Sequence, residues 1–400
     1  MTPNGPRNGS IHLVSVVLAA VLVGIGARTI PAVGTILHGP KPVVMDPLDL
    51  PLHGYYGNYN NHPDLSAALG NALRSGSSVV LFGSSELTSK DDPAKPVGFL
   101  AQELKVPMIA IGHAGNQSFS IHAQLISANA SLEHARLVIL LSPGWFAGSS
   151  ATDGTSLEAF LEYQPSPSLA GVAERLRSGD TTAVPIAHYL IQHRSELSGA
   201  QPVVKWIARN TDPVDRIRYA FSQPWAWYGV KAITDMTPVS TTTADAAAVT
   251  IPAIEAAEWA RLMGEGTARH LVLCTNNHAF VNDEYYSTYV NGATREVEAV
   301  PVDHSKELRD LQTLLHFLKQ TKADPLFVIQ PLNPFVYTNL HTLDPTIGAV
   351  RAALDHNGFD YLDMWRSDTT GYRPGTLTDI MHLGPVGWYR VDSAVVAHFQ

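Results

Sequence analysis

The chain has 400 residues, of which 45% are hydrophobic and only 16% charged, so it can bury a large core in one domain with insertions or in two domains. Its net charge is −9 and it contains no basic block, which argues against nucleic acid as a partner, because phosphate binding needs clustered Lys and Arg. The one cysteine, Cys274, excludes an intramolecular disulfide and a cysteine-based metal cluster. It ends the apolar run Leu271-Val272-Leu273 and reads as a buried strand thiol.

Residues 1–10 are polar, with Arg7 the one basic side chain, and are expected to be cytoplasmic. From Ile11 to Ala27 there is no Asp, Glu, Lys or Arg. A membrane-spanning helix needs about 17–25 such residues. An uncleaved anchor over 11–30 is expected, because apolar character resumes after Arg28. The competing reading is a signal peptide cut near Gly26-Ala27. A buried core helix fits less well, since the run is apolar on all faces. Residues 31–76 read as a linker, with an irregular Pro-, Gly-, Asn- and Tyr-rich part from Gly39 to Pro63.

Regular punctuation follows, in what is expected to be a catalytic domain over 77–400. Strands are predicted at Ser77–Phe82, Pro107–Ile111 and Arg136–Leu141, with helices at Pro96–Lys105 and Ser120–Ala130 between them. Strands alternating with helices imply a parallel sheet covered on both faces. Residues 147–265 hold few strand-like runs and read as a helical insertion, with one helix at Ile254–Met263. Sheet signals return at His270–Cys274, at Pro325–Gln330 and at Phe359–Leu362, with a helix at Ser305–Gln320. The expected fold class is α/β: a three-layer α/β/α domain with a parallel sheet and a helical insertion, behind an N-terminal transmembrane helix.

Two short segments carry chemistry. Gly83-Ser84-Ser85 follows the first strong strand, where open parallel sheets bind ligands beyond their carboxyl ends. Such a turn exposes a serine hydroxyl, but Gly and Ser also suit strand-to-helix turns for conformational reasons alone. Near the C-terminus stands Asp379-Ile380-Met381-His382. Spacing of i, i+3 would put both side chains on one side of a helical turn. Asp379 could then fix the His382 tautomer and leave the other ring nitrogen as a base.

Together these segments resemble the SGNH (GDSL-type) hydrolases, whose nucleophile and C-terminal D-x-x-H match Ser85, Asp379 and His382. Further blocks are similar to the DltD family, which acts in D-alanylation of lipoteichoic acid. They are FGSSEL (82–87), GHAGNQSFSIHAQL (112–125), LSPGWF (141–146), SKELRDL (305–311), VIQPLNP (328–334) and D-x-x-H-L-x-x-x-G-W (379–388). The resemblance implies a membrane-anchored enzyme outside the cytoplasm, a membrane O-acyltransferase partner that delivers the acyl group, and a cell-envelope polymer as acceptor. It implies a serine triad that works without cofactor or metal. One departure stands out: the third block, Ser142-Pro143-Gly144-Trp145, lacks the Asn of the general G-x-N-D pattern. The Gly115 N–H and the Asn116 side chain are the nearest replacements as oxyanion donors, with Ser85 N–H a third and Ser84 beside them.

Trp145 and Trp388 flank the expected site and read either as acyl-pocket lining or as core. Asn333, beyond the strand at 325–330, reads as substrate-orienting or as a turn residue. His113, His122 and His278 match no zinc spacing and read as packing or surface residues. Tyr285, Tyr286 and Tyr289 are at helical spacing and read as packing. Besides D-alanylation, two readings stay open: acetyl transfer onto or off an exported polysaccharide, and a tethered acyl-donor or carrier-binding protein without catalysis.

Overall fold

The computed structural model describes residues 53–56, 65–88, 92–128, 130–163, 172, 175, 180–193, 250–275 and 278–400. The strands are β1 His53–Tyr56, β2 Val79–Phe82, β3 Met108–Ile111, β4 Arg136–Leu141, β5 Leu326–Ile329 and β6 Tyr361–Asp363. They form one parallel sheet in the order β1-β3-β2-β4-β5-β6. The helices named below are α1 Leu65–Ser75, α2 Ser85–Thr88, α3 Ser118–Ser127, α4 Gly148–Asp153, α5 Leu157–Tyr163, α6 Val184–Gln192, α7 Ala256–Val272, α8 Lys306–Gln320, α9 Asp344–Asn357 and α10 Pro385–Phe399. A π-type helix spans Val97–Glu103.

The strands β2, β3 and β5 are apolar and buried at every position because helices cover both faces of the sheet. Successive side chains point to opposite faces, so they feed two separate layers. Val80, Phe82, Ile109, Ile139 and Phe327 join the layer under α1, α3, α8 and α9. Val79, Leu81, Met108, Leu140 and Val328 join the layer under the π-type helix, α7 and α10. Helix α8 shows how the sequence builds such a layer. The Ser305 hydroxyl accepts from Leu308 N–H at 3.1 Å and caps the helix. Leu308, Leu311, Leu314, Leu315 and Leu318 then form one buried stripe.

The sheet order positions the site. Strand β2 lies between β3 and β4, so the chain leaves it on one side and later returns on the other. Such a switch point opens a crevice at the carboxyl end of the strand. Ser85 lies three positions beyond Phe82, the last residue of β2.

Several expectations need correction. The range read as linker, 31–76, contains both β1 and α1, so the packed domain starts earlier than residue 77. The apolar run at 271–274 is not a strand: α7 extends to Val272, past the expected insertion boundary at 265. Cys274 is buried, but just beyond that helix, with its Sγ 3.1 Å from His270 Nε2. The described parts of 147–265 are helical in α4, α5, α6 and the start of α7. The anchor expected over 11–30 lies outside the described residues, among which no helix is long and apolar enough to cross a membrane.

Candidate active site

The Ser85 Oγ lies 2.9 Å from His382 Nε2, although the two residues are 297 positions apart. His382 Nδ1 lies 2.7 Å from Asp379 Oδ2. The three side chains therefore form one continuous relay, in the arrangement that a serine nucleophile, its base and an orienting carboxylate would require. Ser85 is half-buried, and the His382 side chain keeps 22% exposure, so a substrate can reach both.

Asp379 and His382 meet without a helical turn. Residues 378–382 form a bend closed by an isolated bridge between Leu377 and Leu383. Asp379 Oδ1 accepts from the Met381 and His382 backbone N–H groups, both at 2.8 Å, while Oδ2 takes the ring. One carboxylate thus shapes the loop and orients the His382 ring. The loop lies tightly on the first turn of α10. A Cβ at Gly387 would come within 2.3 Å of the Thr376 carbonyl oxygen, which accounts for the glycine in that motif.

Burial alone would lower the His382 pKa, but the hydrogen bond and charge of Asp379, joined by the charge of Glu86, hold it above the ordinary imidazole value. Glu86, next to the nucleophile, is fully buried. Its Oε1 accepts from Ser84 N–H at 2.8 Å and from Gln330 Nε2 at 3.0 Å. Burial pushes its carboxyl up, against those donors. Gly83 makes room for this arrangement: a Cβ there would stand 2.6 Å from Glu86 Oε1.

The remaining sequence candidates divide. Asn116 is fully buried and donates its side-chain N–H to the Gly83 carbonyl at 2.9 Å, while its own oxygen accepts from Gln124 at 2.8 Å. It clamps the turn that carries Ser85 and is not available as an oxyanion donor. The Ser84 N–H is held by Glu86, and its hydroxyl donates to the His113 carbonyl at 3.3 Å. Among the described residues, no acceptor engages the N–H of Ser85 or of Gly115. Gly115 has φ +91°, and a Cβ there would stand 2.8 Å from Ala159 Cβ.

Trp145 and Trp388 are enclosed in the two separate apolar layers and form core, not an acyl pocket. Asn333 is fully buried and touches no open cleft. Its backbone N–H donates to Ile380 O at 2.9 Å, so it holds the base loop in place. Its side chain donates to Ala279 O and accepts from Phe335 N–H, both at 2.9 Å.

Residues 59–400 match the family described as DltD protein. The chain belongs to the DltD family. A curated member from Lacticaseibacillus rhamnosus, named Protein DltD, is 25% identical over 346 residues, covering 79% of this chain and 76% of the relative.

In this DltD-family chain, the charge of Asp379 also reaches three tyrosines. Burial, with the Asp379 charge added, pushes Tyr285 up to about 12 and raises Tyr337 and Tyr372 as well. All three hydroxyls therefore stay protonated. Tyr285 was legible only as a packing residue. Its ring stands 4.8 Å from Tyr289, which is largely exposed. Of the histidines, His122 is buried against Phe317, and His113 and His278 are exposed. No group of metal-ligating side chains occurs among the described residues. Glu86, Gln330 and the tyrosines that the Asp379 charge reaches escaped sequence reasoning, and only the blocks containing Glu86 and Gln330 marked their positions.

Proposed function

We propose that the chain is an extracytoplasmic serine acyltransferase of the SGNH type that works in D-alanylation of a teichoic-acid-like cell-envelope polymer. DltD membership supports the pathway, and the 297-residue convergence of Ser85 on His382 supports the chemistry. His382 Nε2 takes the Ser85 proton as Oγ attacks the acyl carbonyl. The N–H groups of Ser85 and Gly115 are the donors left for the oxyanion. Collapse expels the donor's leaving group, which takes the proton from His382, and leaves an acyl-serine ester. An acceptor hydroxyl, deprotonated by His382, then attacks that ester. The acyl group moves to the polymer, and His382 returns the proton to Ser85.

In this reading residues 11–30 anchor the domain outside the membrane, where a membrane O-acyltransferase hands over the acyl group. Acetyl chemistry on an exported polysaccharide would use the same residues. A carrier-binding protein without catalysis has no use for the aligned relay. The test is acylation of the full-length chain by a fluorophosphonate and by D-alanyl and acetyl thioesters, with mass mapping. Label on Ser85, faster from the D-alanyl donor, is the expected result. A preference for the acetyl donor shifts the substrate, and an unlabelled Ser85 ends the acyl-serine mechanism.

A further inference from the structure

Three arginines scattered in the sequence of this acidic chain converge on one cavity of about 300 Å³: Arg366, Arg373 and Arg390. Arg366 follows β6, Arg373 lies on the loop that leads to Asp379, and Arg390 is on the second turn of α10. Among the described residues, no carboxylate stands within ion-pair distance of any of them. Asp363, whose charge reaches Arg390, is committed to Arg351 at 2.7 Å. Burial lowers the half-buried Arg390 first, and the charges of Arg366 and Arg373 lower it further. The three guanidinium groups therefore repel one another, and among the described residues none of them is paired with a carboxylate, the charge of Asp363 reaching Arg390 only from a distance.

The rest of the cavity is different in kind. Met263, Leu332 and Met364 form an apolar wall, with Arg373 Nη1 3.8 Å from Met263 Sδ. Tyr372 and Thr376 also line the cavity and belong to the loop that carries the catalytic pair. The Asp379 charge reaches Tyr372, and Leu332 directly precedes Asn333, which holds Ile380. The lining does not include Ser85 or His382. The cavity is thus beside the base loop and separate from the reacting atoms.

We propose that this cavity is a subsite for a phosphate ester, with the guanidinium groups on the anion and the apolar wall against its carbon chain. Guanidinium is the side chain best matched to phosphate oxygens, and three converging forks supply more donors than one carboxylate can use. The volume suits a phosphate with a short polyol, at the small end of ligand pockets. The inference rests on the proposed acyl transfer only in naming the acyl acceptor as the bearer of the phosphate. The same chemistry is offered by a soluble phosphodiester polymer and by a lipid headgroup.

The test reads binding, not turnover. Glycerophosphoglycerol and glycerol are titrated calorimetrically into the full-length chain, and phosphatidylglycerol and phosphatidylcholine vesicles are tested by co-sedimentation. The diester is expected to bind saturably and glycerol not at all. Arg366→Gln and Arg373→Gln, both exposed, should each weaken binding about tenfold, the loss of one charge-assisted hydrogen bond. Binding of the soluble diester assigns the polymer as source. Binding of phosphatidylglycerol vesicles alone, lost in the same variants, assigns the headgroup. No binding in either arm, or equal binding by variants of unchanged thermal stability, overturns the proposal. If the variants unfold, arginine modification by phenylglyoxal in the wild-type chain decides. Protection of Arg390 by the diester supports the site, and its absence refutes it. Ser85 labelling is independent of all these readouts, so either reading can fail alone.

Discussion

Asp379→Asn is nearly isosteric, yet it should disable the base. Asp379 Oδ1 already accepts from two backbone N–H groups, those of Met381 and His382. The new amide must therefore keep its oxygen there, because the reverse orientation would aim NH₂ at two donors. Its nitrogen then faces His382 Nδ1, which the carboxylate met at 2.7 Å. To accept that N–H, Nδ1 must give up its hydrogen, and the proton moves to Nε2. Nε2 then points a hydrogen at Ser85 and cannot take one. A wrong tautomer in a serine triad costs about 10⁴-fold in rate, or about 5.5 kcal/mol of transition-state stabilisation. Because both loop hydrogen bonds survive, the thermal midpoint should fall by only a few degrees, corresponding to about 1 kcal/mol. The assay is the second-order rate of Ser85 labelling by a fluorophosphonate, beside circular dichroism on the same sample. A folded variant labelled within about tenfold of wild type would show that the tautomer is irrelevant and that Asp379 only shapes the loop.

Ser85→Ala should lower acyl transfer by about 10³-fold or more, whereas Ser84→Ala, which loses only a hydroxyl donated to His113 O, should cost less than about tenfold; the reverse order in a transfer assay would mark Ser84 as the nucleophile. His382 must be neutral to act as a base, so the labelling rate should rise with pH, with a midpoint above 6.5. Glu86→Gln, which removes one of the charges holding that value up, should move the midpoint down, and an unmoved pH–rate profile would confine Glu86 to packing. Asn333→Ala keeps the backbone N–H on Ile380 O but deletes one buried and one part-buried side-chain hydrogen bond, to Ala279 O and from the Phe335 N–H, so denaturant unfolding should report a loss of about 2–3 kcal/mol; a loss under about 0.5 kcal/mol would refute the side chain's part in fixing this stretch. Glu307 is fully buried, and burial raises it from 4.5 to about 8, so the folded state holds a proton that the unfolded state releases over that interval. Stability should therefore fall as pH rises from about 4.5 to about 8, and Glu307→Gln should flatten the fall in thermal midpoints across that range.

What the sequence made legible follows from how each signal arises. Strand β4 was expected at Arg136–Leu141 and lies there, because a short continuous apolar run is what a doubly covered parallel strand requires. The same cue misled at Leu271–Cys274. That run closes a helix, and its Val272 is 73% exposed, so burial did not select those residues. Strand β1, His-Gly-Tyr-Tyr, carries no such run and owes its state to backbone pairing with β3, which local propensity does not report. The i, i+3 spacing of Asp379 and His382 correctly paired them, but the carboxylate's own bonds to backbone N–H groups produced a bend where a helical turn was expected. Asn116 looked like a donor for substrate because its type and place fit. Its commitment to Gly83 O depends on β3 lying beside β2, a fact of topology.

That dependence on topology explains how a relay built from two chain segments keeps its alignment. The end of β5 reaches both. Gln330, in the first position after the strand, donates to Glu86 beside the nucleophile. Asn333, three residues further on, holds Ile380 inside the base loop. Gln330 N–H also donates to Leu141 O, which ties this segment to the end of β4. Ser85 and His382 are thus each referred to one short, buried stretch, Gln330-Pro331-Leu332-Asn333, in addition to their own direct contact. A hydroxyl–imidazole contact at 2.9 Å is too weak to hold two loops together against their conformational entropy. Alignment must come from the scaffold, and catalysis requires it, since a misplacement of about 1 Å can cost about 100-fold in rate. In the sequence this stretch resembles a strand followed by a turn. The Gln330 side chain and the Asn333 backbone N–H can serve both segments because the sheet order places β5 beside β4 and β4 beside β2, bringing one strand end within reach of the Ser85 turn and the His382 loop together.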